Sequence, residues 1–201
     1  MPSRRSDGAL VFKLVYYGPS LSGKTTAVNW LYEKEGIAVG ELTSVKGGDT
    51  EIKGDLGKFG GFFDRMTAKI GKINLQVWSV AGRKSHKDLR KVILQGADGL
   101  VFVWDSQRGA WKENIESLNE LITILQRELM KIPFVVMLNK FDLPGVITKA
   151  NVEEILTKAK IKGDIVETSA ITGTNVRKAL DVCVRAVISK YLEQKQAASP
   201  Q

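Results

Sequence analysis

The run Gly18-Pro19-Ser20-Leu21-Ser22-Gly23-Lys24-Thr25 sets two glycines with four residues between them and follows the second at once with a lysine and a threonine. Glycines at these points let the backbone curl until successive N–H groups point inward, and a helix opening at Lys24 would add its positive end. The chemistry of such a concavity is phosphate binding. Lys24 is then placed to reach terminal phosphates, and Thr25 offers a hydroxyl to magnesium. The candidate phosphate contacts are Gly18, Ser20, Leu21, Ser22, Gly23, Lys24, Thr25 and Thr26.

Phosphate binding does not name the base, because kinases, ATPases and GTPases share such loops. Asn139-Lys140-Phe141-Asp142 ends an apolar stretch, and a carboxylate there can accept two hydrogen bonds from N1–H and the amino group of guanine. Adenine offers no such pair. Taken alone, Asn139 could equally cap a turn. Ser169 and Ala170, in the run Glu167-Thr168-Ser169-Ala170, follow the last apolar stretch, where an ordinary strand-to-helix turn is the alternative reading.

These groups need a scaffold that brings them to one edge. Stretches 10–17, 99–104, 134–139 and 164–168 are short and rich in Val, Phe and Ile, as expected of strands buried on both faces of a parallel sheet. Helical patterns lie over 24–33, 86–94, 113–129, 152–160 and 176–192. In 113–129, Leu118, Leu121, Ile122, Leu125 and Leu129 form one apolar stripe. Stretches 62–70 and 73–79 are separated only by Gly71-Lys72 and should pair antiparallel. The expected fold is α/β and doubly wound: a mostly parallel six-stranded sheet, one antiparallel edge strand, and helices on both faces. In such folds ligands bind beyond the carboxyl ends of the strands, which is where all three motifs emerge.

Residues 36–61 carry glycines at 36, 40, 47, 48, 54, 57, 60 and 61 and are expected to be mobile, as a functional loop or a disordered insertion. Residues 1–8 and 194–201 are expected to be flexible ends flanking one domain over 9–193.

A chain of 201 residues with 43% hydrophobic content can bury one good core but not two. No apolar run approaches the roughly 20 residues of a membrane span, and the N-terminus has no signal-peptide core. Cys183, the single cysteine, falls on an apolar face with Val184, Val187 and Ile188 and is expected to be buried. The net charge of +8 favours anionic partners, but the basic residues form no dense tract interleaved with aromatics. A cytoplasmic monomer is expected, with no specific nucleic-acid partner and at most peripheral membrane contact.

The phosphate loop, the Asn-Lys-x-Asp tetrapeptide and Thr-Ser-Ala, in this order, resemble the Ras superfamily of small GTPases over about residues 10–192. The stretches 12–19 and 101–106 and Phe62-Phe63-Asp64 are most similar to the prokaryotic and archaeal MglA-like, Arf-like group. The resemblance implies a GTP/GDP switch with magnesium. It implies that Asn139 tethers the phosphate loop, Lys140 lies along the base, Asp142 reads guanine, and Ala170 offers its N–H to the base oxygen. It also implies effector and GTPase-activating partners, among them a roadblock-fold (MglB-like) protein.

Two positions depart from the family pattern Asp-x-x-Gly-Gln, which here reads Ser79-Val80-Ala81-Gly82-Arg83. Ser79 brings a hydroxyl but no charge to the magnesium side. Gly82 is kept, which suits a backbone N–H near the γ-phosphate. Arg83 has donors only and cannot align an attacking water, so slow hydrolysis is expected; the competing reading makes it a built-in arginine finger. Lys24, Gly82 and Arg83 are thus the catalytic candidates, while His86 reads as a surface residue. Gly60 stands where the family's first switch would have its threonine, and spacing selects neither Thr43 nor Thr50 as a substitute.

Overall fold

The computed structural model describes residues 2–4, 9–45, 63–80 and 87–198. Among them the chain runs β1 (Ser3–Arg4), β2 (Leu10–Tyr17), α1 (Lys24–Lys34), β3 (Thr43–Val45), β4 (Phe63–Ile70), β5 (Ile73–Val80) and α2 (Lys87–Leu94). It continues through β6 (Gly99–Asp105), α3 (Trp111–Leu125), β7 (Phe134–Asn139), α4 (Lys149–Lys158), β8 (Asp164–Thr168) and α5 (Val176–Ala197).

One sheet holds the strands in the order β3-β4-β5-β2-β6-β7-β8, with β1 pairing on β2 outside that path. Strands β5, β2, β6, β7 and β8 are mutually parallel, and β4 is antiparallel to β5. These are the six strands expected from the sequence. The two short additions differ from expectation: β3 lies outside β4, so the antiparallel strand is not the edge, and Ser3–Arg4 pairs with Val11 and Leu10 inside the stretch expected to be a flexible end.

Every residue of β6 and β7 is buried, which is why these strands read as unbroken apolar runs rather than alternations. Each face of the sheet carries its own core. One unites Phe12, Leu14 and Tyr16 with Leu31 of α1 and with Leu180 and Val187 of α5. The other unites Val15, Tyr17 and Phe102 with Ile93 of α2, Leu118 and Leu121 of α3, and Val152 of α4. At Gly99 a Cβ would stand 2.7 Å from Val187, 2.8 Å from Leu14 and 2.9 Å from Cys183, so glycine is what lets α5 lie close on β6. Cys183 is fully buried as expected, and burial pushes its thiol up to about 12.

Residues 37–45 of the glycine-rich segment are less loose than its composition implies. Val39 N–H donates to Thr67 O at 2.8 Å, Lys69 N–H donates to Ile37 O at 2.8 Å, and Thr43–Val45 pairs with β4. Ile37 is buried and Leu42 packs beside it, so two apolar side chains anchor residues 37–45 to the sheet. Residues 46–61 of that segment lie outside the described residues.

Three helix ends also moved. Helix α3 stops at Leu125, Gln126 takes a φ of 49°, and a 3-10 stretch Gln126–Lys131 still buries Leu129. Helix α4 begins at Lys149, earlier than the apolar pattern suggested, because Asn151 Oδ1 accepts from the Thr148 N–H at 3.0 Å and the Thr148 hydroxyl at 2.9 Å. Helix α5 runs to Ala197, past the start of the expected tail, since Gln194-Lys195-Gln196-Ala197 are good helix formers with no breaker among them.

Candidate functional site

The sheet order puts β2 between β5 and β6: the chain leaves β2 for one side through α1 and crosses to the other through α2. A crevice opens at the carboxyl ends of strands at such a switch point. Residues 18–23 run from the end of β2 into α1 there. Gly18 has φ 142° and Gly23 φ 100°, and Leu21 is held at φ 63° with its side chain 86% exposed. A Cβ on Gly18 would sit 2.4 Å from Val103 O, so the loop can turn this tightly over β6 only without one.

Lys24 curls back into the loop. Its Nζ donates to Gly18 O at 3.0 Å and to Pro19 O at 2.5 Å, and the side chain is only 6% exposed. Burial lowers its pKa to about 7, the Arg90 guanidinium adds to the depression, and the Asp64 carboxylate opposes it. Thr25 and Thr26 are exposed in the first turn of α1, and Ser22 is buried beneath the loop.

The second motif is tied to the first through one side chain. Asn139 Nδ2 donates to Ser22 O at 2.7 Å, and Asn139 Oδ1 accepts from Ala170 N–H at 2.8 Å and from Thr168 Oγ1 at 3.3 Å. Register explains the reach, since Asp105, Asn139 and Thr168 stand side by side at the ends of β6, β7 and β8. The buried amide bonds the phosphate loop to the last motif, which a surface turn cap would not do. One expectation changes here: the Ala170 N–H is given to Asn139 Oδ1 rather than held open for a base oxygen. Ser169 is buried, its N–H bonded to Thr174 O at 3.1 Å.

Gly23 is the weak point of this tie. A Cβ there would fall 2.2 Å from Asn139 Nδ2, on a backbone that L residues rarely adopt. Gly23→Ala should therefore break the Asn139–Ser22 bond and lower GDP affinity by a factor on the order of 100, the sum of local strain and one lost buried bond. Dissociation of a fluorescent GDP analogue measures this.

Lys140 takes a left-handed φ of 65°, and its Nζ bonds Asp105 Oδ2 at 2.5 Å. Asp105 is in turn fixed by Asn114 of α3, which accepts from the Asp105 N–H at 3.0 Å and donates to its carbonyl at 2.8 Å. Asp142 is exposed, and among the described residues no hydrogen bond or ion pair engages its carboxylate. Phe141 and Leu143 beside it are exposed too, while Ile147 anchors the loop through a 2.9 Å bond from its N–H to Ser106 O.

Sequence reasoning missed Asp105, Asn114 and a second, part-buried network. Asn114 lies four residues before Leu118, so it is a polar residue on the apolar stripe of α3, and that mismatch was its signal. In the other network Tyr17, the last residue before the phosphate loop, donates to Glu120 Oε2 at 2.9 Å, and Arg90 of α2 donates to Glu120 Oε1 at 2.6 Å. Burial, reinforced by Glu120, pushes the Tyr17 phenol above its usual range, so it stays a hydrogen-bond donor. Helix α2 is thereby latched to α3 and to the strand that carries the loop. Gly60, Gly82, Arg83, His86 and Thr50 lie outside the described residues; Thr43 opens β3 opposite Arg65.

The donor set suits magnesium in the form nucleotides carry it. That ion keeps several waters and takes few protein ligands, with phosphate oxygens completing its shell. Thr25 presents an exposed hydroxyl beside Lys24, and among the described residues no cluster of three or more His, Cys, Asp or Glu forms a separate cage. Thr25 would hold the ion, which would neutralise phosphate charge.

A doubly wound sheet, a phosphate loop and an Asn-centred base loop at one crevice define a P-loop nucleotide-binding domain. The sequence model of the ADP-ribosylation factor family matches residues 61–187. The mutual gliding-motility protein MglA of Myxococcus xanthus is 36% identical over 189 residues, covering 89% of this chain and 91% of that protein. A Ypt/Rab-type GTPase, avaA, of Emericella nidulans is 28% identical over 94% of this chain and 87% of its own. ADP-ribosylation factor-like protein 2 of Drosophila melanogaster is 32% identical over 59% of this chain and 66% of its own length. The chain belongs to the Arf family of the Ras superfamily and is an MglA-like small GTPase. No helix among the described residues is long and apolar enough to cross a membrane.

Proposed function

We propose that this protein is a cytoplasmic, monomeric guanine-nucleotide switch, a single domain over residues 9–193, that binds GTP or GDP with magnesium, hydrolyses GTP slowly, and signals through segments flanking the phosphates. The observation that carries this reading is the Asn139 side chain, bonded at once to Ser22 and to Ala170, because it makes phosphate loop and base loop one rigid unit. Backbone N–H groups of Gly18 and of residues 20–26, with the Lys24 ammonium, hold the phosphates, Thr25 the metal, and Asp142 the guanine edge. Lys140 lies along the base, its ammonium fixed by Asp105. Asn139 accepts from Ala170 in the present arrangement, so a guanine oxygen would share that N–H or draw on its neighbours.

Catalysis on this reading is electrostatic, from Lys24, the metal and the Gly82 N–H, with Arg83 unable to orient water and a partner completing the site. Residues 36–61 and the helix after Gly82 respond to the γ-phosphate, and effectors, GTPase-activating proteins and a roadblock-fold (MglB-like) partner read that response. Ser79 in place of the usual aspartate favours a second reading, a GTP-binding scaffold with negligible hydrolysis. Single-turnover hydrolysis separates the two. The shared core of both is tested by stripping the protein of nucleotide and competing labelled GTP with unlabelled GTP or ATP. GTP should displace the label at least a thousandfold more effectively; equal displacement would sink both readings.

A further inference from the structure

The loop after β8 brings Ser169 and Ala170 to the crevice, bulges outward with Ile171 75% exposed, and ends where Val176 opens α5. Local bonds close it: Ser169 N–H donates to Thr174 O at 3.1 Å, Val176 N–H donates to Gly173 O at 3.1 Å, and the Thr172 and Thr174 hydroxyls stand 2.8 Å apart. Such bonds give a loop its shape; they do not set where it stands against the domain. A side chain of α1 does that. Gly173 has φ 80°, and a Cβ on it would fall 1.9 Å from Trp30 Cε2 and Cζ2 and 2.5 Å from Nε1. The indole therefore lies directly against the Gly173 main chain, an approach that glycine permits.

Trp30 is fixed from behind, because it packs on the core that α1 shares with α5. Just past the loop, Arg177 Nη1 stands 3.5 Å from Glu35 Oε2 at the end of α1, a second tie to the same helix. A rigid ring with two torsions holds a backbone at one separation, which a flexible apolar side chain would not. That separation matters at the near end of the loop, three positions back. Ala170 abuts the phosphate loop, its Cβ 3.7 Å from where a Cβ on Gly23 would stand. Its N–H, given at 2.8 Å to Asn139 Oδ1, is the donor that a guanine oxygen would share.

We propose that Trp30 is a positioning residue for the oxygen edge of the purine: its indole, set against Gly173, fixes where the 169–174 loop stands and so how far its backbone N–H groups reach toward the base oxygen. The proposal rests on the guanine-nucleotide reading and divides the base between two supports. Asp142, on the loop after β7, takes N1–H and the amino group. The loop braced by Trp30 takes the oxygen. Trp30 lies six residues beyond Lys24, about 9 Å along the same helix. Helix α1 thus serves the phosphates with its first turn and sets the base loop with its second.

The test compares GDP with 6-thioguanosine diphosphate, which keeps both donors for Asp142 and exchanges only the oxygen for a larger, weaker acceptor. Wild type should favour GDP by about five- to tenfold, the worth of roughly one hydrogen bond. Trp30→Ala should weaken GDP by about that factor and the thio analogue by less than about twofold, so the preference falls to near unity. Trp30→Phe, which keeps a flat ring, should retain most of it. Equal loss for both nucleotides would mean general loosening and overturns the proposal, as does an unchanged preference. If Trp30→Ala does not fold, Trp30→Leu takes its place, bulky but not planar, and an unchanged preference there overturns it too. Urea unfolding checks the contact itself: Gly173→Ala should lower the midpoint, and by less than half as much when Trp30→Ala is already present. Additive shifts overturn the proposal. A wild type that binds neither nucleotide fails earlier, at the guanine reading, and takes this inference with it.

Discussion

Replacing Asp142 with alanine should weaken GDP and GTP binding by about ten-thousand-fold while leaving the weak binding of ATP unchanged. The carboxylate is exposed on the loop after β7 and among the described residues engages no other group, so its acceptor capacity is open to a ligand. Guanine presents N1–H and an exocyclic amino group side by side, and two charge-assisted bonds to one carboxylate are strong and directional. A site built to pair such donors rejects a base lacking them by about four orders of magnitude, or roughly 5.5 kcal/mol. The substitution should touch nothing else, because Asn139 and Lys140 are held by Ser22 and Asp105 rather than by Asp142. Asp142→Asn sharpens the test: an amide accepts from N1–H and donates to an oxygen at position 2, so it should prefer xanthosine to guanosine diphosphate. Titration with fluorescent guanosine, xanthosine and adenosine diphosphates reads all three. Undiminished guanosine binding by Asp142→Ala would remove the basis of the guanine assignment.

What the sequence disclosed follows from how far apart the cooperating residues lie. The phosphate loop is one contiguous run and Asn139 belongs to a tetrapeptide, so residue type and spacing sufficed to bring Lys24, Ser22 and Asn139 to one crevice. The parallel strands were equally legible, because burial on both faces leaves unbroken apolar runs. Asp64 was noticed only as part of a family pattern: its pairing with Ser79 depends on strand register, which no single strand encodes. Tyr17 and Glu120 are bonded across a separation of 103 residues, and the polar contact is invisible until β2 and α3 are packed together. The Ala170 N–H to Asn139 bond was not foreseen, because a backbone donor leaves no trace in residue type. The glycine-rich segment misled in the other direction, since composition averages over Ile37 and Leu42, which pin part of it to the sheet.

Lys24 should make the nucleotide-free protein more stable at pH 9 than at pH 7, and Lys24→Met should remove that share of the gain. In the folded, empty protein burial holds this lysine near 7 against an ordinary value of 10.5. Between those values the unfolded chain binds the proton and the folded one does not, so unfolding becomes less favourable as pH rises through that window. A full pKa unit corresponds to about 1.4 kcal/mol, so from pH 7 to 9 the contribution is on the order of 2 kcal/mol. Lys13, lowered to about 8 by burial, adds a change of the same sign that begins at higher pH; subtracting the Lys24→Met curve removes it. Urea unfolding of the two proteins at both pH values measures the difference. The functional counterpart has the opposite sense: phosphates restore the charge, so binding GDP at pH 8 in EDTA should take up close to one proton. Calorimetry in buffers of different ionisation enthalpy would detect it, and zero uptake would mean that Lys24 is already charged in the empty site. Two carbonyls, Gly18 O and Pro19 O, hold the side chain until then. A charged Lys24 is therefore penalised in this loop until an anion or a higher pH relieves it, and Lys24→Met should abolish nucleotide binding while making the nucleotide-free domain's stability less dependent on pH.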